Sequence, residues 1–150
     1  MHDIKEGLAE IDRRFSDSTL LIYRPDGDQR QLLDRIMIRY IEAPPGEQKD
    51  IFEAFRGRYG LLNMLAGYIY DAAERIRSTR DATWLNTALA AASIEESLGK
   101  VDQRDMLLAL AELYVTAEEA GLDPRPGFET ICGLKGFSDY AVVRSRRNKG

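Results

Sequence analysis

Apolar residues recur at three- and four-residue intervals along most of this chain, the period of α-helices that bury one face. Ile4, Leu8, Ile11 and Phe15 form the first such stripe, suited to a core helix, a docking helix or an oligomerisation face. Leu32, Leu33, Ile36, Met37, Tyr40 and Ile41 form a second, on a helix expected from Gln29 to Glu42. Asp28 is placed to open it, and Ala43-Pro44-Pro45-Gly46 to stop it. Glu47 to Arg77 carries Ile51, Phe52, Phe55 and Tyr59, then Leu61, Leu62, Leu65, Ile69, Ala72 and Ile76. Gly57 and Gly60 predict a bend or break there, since glycine costs about 1 kcal/mol relative to alanine inside a helix.

The clearest boundary signals lie between Ser78 and Pro124, which read as a helical hairpin. Ser78 or Asp81 can cap its first helix, Ala82 to Leu98, and Gly99 can end it. Asp102 suits a second N-cap, with Val101 and Met106 as a hydrophobic staple. The second helix, Met106 to Ala120, is closed by Gly121-Leu122-Asp123-Pro124 and is apolar almost all round. Helices of that kind are buried on more than one side, so this one is expected at the core.

The remaining segments are shorter. Ser16 to Asp28 reads as an apolar loop or helical turn, with Leu20 to Tyr23 also able to form a strand. Pro126 to Leu134 predicts a short helix, and Phe137, Tyr140 and Val143 are docking residues for the stretch after it. Leu65–Glu74 resembles Leu110–Glu119 at an offset of 45 residues, a spacing that suits stacked helical pairs. The expectation is therefore one all-α domain over residues 1–150, with five to seven helices in a bundle or a short HEAT-like α-solenoid. Residues 1–28 are expected to be peripheral or partly ordered, and 144–150 to be a flexible basic tail.

Composition narrows the function classes. The chain is 44% hydrophobic and 31% charged with net charge −4, an ordinary globular balance that does not call for a nucleic-acid partner. Residues 95–123 hold eight acids and two bases, a net of −6, whereas 144–150 carry +4. The lone Cys132 suits a reducing compartment, and no run approaches the roughly 20 apolar residues of a membrane span. The N-terminus lacks the basic-then-apolar layout of a signal peptide, so the cytoplasm is expected.

Enzyme motifs are sparse. His2 is the single histidine, which argues against a Ser-His-Asp triad or an HExxH site. One cysteine excludes a multi-cysteine zinc site, and no glycine-rich phosphate loop occurs. Neither a cofactor nor a metal is expected.

The stretch from Trp84-Leu85 through Ala92-Ser93-Ile94-Glu95 resembles uncharacterised bacterial all-helical proteins. So does Asp102-Gln103-Arg104-Asp105 through Gly121-Leu122-Asp123-Pro124. The resemblance covers about 45 residues and implies an α-solenoid-like or bundle fold, with no catalytic residues. Together these features lead to the expectation of a non-catalytic protein-binding module. Its sharpest form is an immunity or antitoxin-type protein of a bacterial cytoplasm. An acidic surface of Glu95, Glu96, Asp105, Glu112, Glu118 and Glu119 would then cover the basic active site of a toxin, such as a nuclease. The alternative is a self-associating scaffold or adaptor using the Ile4/Leu8/Ile11/Phe15 stripe.

Overall fold

The computed structural model describes residues 2–15, 24–56, 59–97, 104–130, 136–137 and 140–149. They form eight helices and no strand: α1 (His2–Phe15), α2 (Gly27–Glu42), α3 (Pro45–Phe55), α4 (Tyr59–Thr79), α5 (Ala82–Ser97), α6 (Arg104–Glu119), α7 (Arg125–Thr130) and α8 (Ala141–Lys149). The fold is an all-α helical bundle. Leu20 to Tyr23, Gly99, Val101, Asp102 and Cys132 lie outside the described residues.

Local chemistry accounts for the helix ends. Asp26, rather than Asp28, caps α2: its carboxylate accepts from the Gln29 backbone amide at 2.8 Å, and the Asp26 amide donates in return to Gln29 Oε1 at 2.9 Å. Asp28 instead lies in the first turn, where its charge complements the helix dipole. Of the two candidates for α5, Asp81 is the cap, accepting from the Thr83 amide at 2.9 Å. Between α3 and α4 the helix breaks after Phe55, where the glycines suggested a bend or break. The expected glycine stop closes α6. Gly121 has φ +84°, and the Leu122 and Gly121 amides donate to the carbonyls of Ala117 and Glu118, satisfying groups that the last turn leaves free.

The helices pack in two layers. α1, α4, α6 and α8 lie side by side in one, and α2, α5 and α7 in the other, with α3 against α1 and α2. The two similar stretches at offset 45 fall on α4 and α6, neighbours within one layer. The expected α5–α6 hairpin is therefore loose, because the two helices belong to different layers and each packs chiefly on α4. Nor is α6 the centre, although it is deeply buried. Met64, Leu65, Ala66, Tyr68, Ile69, Ala72, Ala73 and Ile76 bury α4 on several sides, and the small residues among them let α1, α5 and α6 approach together.

Helices near both chain ends pack on the domain. Leu8 and Ile11 of α1 are buried, so these two positions of the first stripe face the domain's own core. The Ile4 and Phe15 side chains fall outside the described residues. Residues 144–149, expected as a loose tail, belong to α8, which docks through Val143. Phe128 and Phe137 stack with ring centroids 4.9 Å apart, and the Tyr114 ring meets Phe128 edge-on at 4.9 Å. This aromatic cluster fastens the C-terminal third to α6. Gly127 brings α7 close to α5, since a β-carbon there would fall 2.3 Å from a Leu89 methyl.

Candidate functional site

Three places combine charge, aromatics or exposed apolar surface. The first is the acidic edge of α6. Glu112 is half-buried and accepts from both Nε and Nη2 of Arg146, the latter at 3.1 Å, and from Arg77 Nη2 at 2.9 Å. Arg77 also reaches Thr116 Oγ1 at 3.2 Å. One turn and a half further on, Arg147 Nη2 grips both oxygens of Glu118 at 2.7 and 2.9 Å, and its guanidinium lies 5.8 Å from the Tyr114 ring centre. Glu119 is exposed and lies near enough to Arg146 to favour its charge.

Two members of the expected acidic surface, Glu112 and Glu118, are thus brought together, but their charge is met internally by α4 and α8. Glu95, Glu96 and Asp105 sit on α5 and α6, and their side chains fall outside the described residues. The Glu112 carboxyl is held below the usual carboxylate range, first by the Arg146 hydrogen bond and then by Arg77, against the opposing effect of burial. Its folded value lies below its unfolded one. The ion pairs therefore stabilise fully above the ordinary carboxylate range, and that contribution is lost as pH falls through the depressed value. Because Arg77 is half-exposed, Glu112→Gln is expected to cost about 1 kcal/mol at pH 7. Melting curves followed by circular dichroism should show the gap to the parent protein closing as the solution is acidified below the carboxylate range.

The second place lies between the layers, where α2, α4 and α5 meet. Asp34 accepts from Tyr68 Oη at 2.6 Å and takes the guanidinium fork of Arg75 at 2.8 and 2.9 Å. Trp84 covers that guanidinium, with its ring centre 4.0 Å from the Arg75 carbon. Burial, reinforced by the bond to Asp34, raises the Tyr68 hydroxyl far above the ordinary tyrosine value, so it stays protonated and donates. Asp71 Oδ2 stands 3.4 Å from Arg75 Nε and 3.6 Å from Arg30, in charge contact though without a hydrogen bond. The sequence reading missed Asp34 and Arg75, which are 41 residues apart and join only when α2 and α4 pack. The available signal was Asp34, flanked by Leu33 and, after Arg35, by Ile36 and Met37.

This lock fixes the rotation of α2 and so determines what the helix shows outward. Asp34 points in, while Arg35, Ile38, Ile41 and Glu42 point out. Ile38 and Ile41 are 38% and 44% exposed, among the few large apolar side chains left uncovered. A shallow groove of about 470 Å³ lies beside Ile38, lined by Arg35, Ile38, Arg39, Glu42 and Glu47. Its far wall is fastened by an Arg39–Glu47 ion pair and by Gln48 Nε2 donating to the Tyr40 carbonyl at 2.8 Å. Arg35 and Glu42 have no ion-pair partner among the described residues.

Among the described residues, no group of three His, Cys, Asp or Glu is disposed to hold a metal ion, and no helix is long and apolar enough to cross a membrane. No known family model, curated protein or solved structure matches the chain.

Proposed function

We propose that the protein is a non-catalytic protein-binding module that docks its partner on the outward face of α2. The observation that carries this reading is the pair Ile38 and Ile41, left exposed beside a charged-rimmed groove on a helix whose rotation is locked from within. An apolar centre with a polar rim is the usual composition of a docking patch. A partner helix laid along α2 would place one apolar side chain in the groove, the common way helical surfaces are read. Affinity capture from native lysate tests it, with the parent protein and an Ile38→Glu/Ile41→Glu variant as baits. Loss of a stoichiometric partner from the variant alone, with its melting temperature within about 2 °C of the parent, is the expected result. Equal capture by both baits would overturn the reading.

A second reading keeps the acidic edge of α6 as the contact surface, in the manner of an immunity or antitoxin-type protein facing a basic toxin. It is favoured by the arginines of α8 seated on Glu112 and Glu118, which indicate that this edge suits guanidinium groups. A basic partner would have to displace Arg146 and Arg147, and this competition places the reading second. Glu118→Lys/Glu119→Lys as a third bait separates the two: loss of the partner there, with retention by the α2 variant, would favour the acidic edge.

A further inference from the structure

We infer that the partner seated on the outward face of α2 is a second copy of this chain, the two α2 helices lying antiparallel about a two-fold axis beside Ile38. The inference rests on the docking face proposed above and adds its occupant. Arg35 and Glu42 flank Ile38 by three and four residues along α2, about 10 Å apart along the helix axis. A two-fold axis midway between them brings Arg35 of each copy onto Glu42 of the other, twice. It also places Ile38 next to its symmetry mate, with Ile41 on the flank.

The face is thus self-complementary, as an interface about a two-fold axis must be. Neither of the two charges that would form those bridges has an ion pair among the described residues. A parallel arrangement would set like charges opposite each other and is disfavoured. α2 packs on α5, α3 and α1, and the line of Arg35, Ile38 and Glu42 is left facing outward.

One helix face per copy buries less than the roughly 1,200–2,000 Å² of standard stable complexes, so the dimer is expected to be weak. A dissociation constant of roughly 10–100 μM is the corresponding expectation. Sedimentation equilibrium of the full chain from about 5 to about 500 μM reads it directly, at low salt and again in about 0.5 M NaCl, where screening weakens the bridges. The parent should pass from monomer to dimer across that range, and Ile38→Glu should remain monomeric with an unchanged melt. Arg35→Glu should weaken association at least tenfold, and Arg35→Glu/Glu42→Arg should recover it, because the swap restores both bridges.

A parent protein that stays monomeric at the highest concentration would overturn the inference. So would a double swap no tighter than the single one, since the antiparallel register requires the rescue. The module reading stands apart from this outcome. A monomeric parent whose Ile38→Glu/Ile41→Glu bait still loses a lysate partner would leave that reading in place and remove only the second copy as occupant.

Discussion

Replacing Asp34 with alanine is expected to cost about 3 kcal/mol, the low end for breaking a buried ion pair because the site keeps some solvent access. The loss has three parts. The Arg75 guanidinium gives up its bidentate partner and keeps only Asp71, which faces it at 3.4 Å without a hydrogen bond. The Tyr68 hydroxyl, buried and protonated, loses its acceptor. Trp84 then lies over a cation that no longer has a fixed position. For a chain of 150 residues the melting temperature should fall by roughly 6–12 °C. Asp34→Asn, which keeps the shape and one acceptor oxygen, should lose less. Replacing Asp34 by Leu together with Arg75 by Met should also cost less than Asp34→Ala, because an unpaired buried charge is worse than none. If Asp34→Ala melts with the parent, the network does not hold α2, and the face that α2 presents is not fixed by it.

The second large effect is expected at Phe128. Truncation to alanine removes a fully buried ring that touches both Tyr114 and Phe137, and substitutions of this kind cost about 3–5 kcal/mol. Its consequence is regional as well as global. Phe137 loses its stacked neighbour, so the C-terminal segment is held to α6 by the remaining Phe137–Tyr114 contact, Val143 and the Arg146 and Arg147 ion pairs. Hydrogen exchange should therefore accelerate over residues 141–149 before it does over α2 and α5. A uniform acceleration along the chain would show that α7 and α8 are no separate cooperative region.

Helix positions were largely legible in the sequence because each is written locally. The glycine stop at Gly121, the Asp81 cap and the break after Phe55 depend on residues within a turn of one another. Partner choice between helices is not local. The strong caps around α5 and α6 suggested a hairpin, yet caps say where a helix ends and nothing about which helix it meets. The alanines and aliphatics of α4 decided that, by offering room to several neighbours at once.

The acidic surface was legible as composition and misleading as geometry. Residues 95–123 hold a net −6, but folding brings Arg77, Arg146 and Arg147 onto Glu112 and Glu118. Charge counted along a segment cannot register cations that arrive from 29 to 35 residues away. The α2 face was hidden for a related reason. Ile41 belongs to the apolar stripe read from the sequence and Ile38 does not, yet both look outward once Leu33, Ile36 and Met37 take the core side of α2.

The outward face of α2, and not the acidic edge of α6, is the binding face expected for this protein. Site-specific photocrosslinking in native lysate tests it most directly, with benzoylphenylalanine placed at Ile38 in one protein and at Glu119 in another. A discrete crosslinked product from position 38, with none from 119, is the expected outcome. A product from 119 with position 38 silent would contradict the claim and make the acidic edge the binding surface.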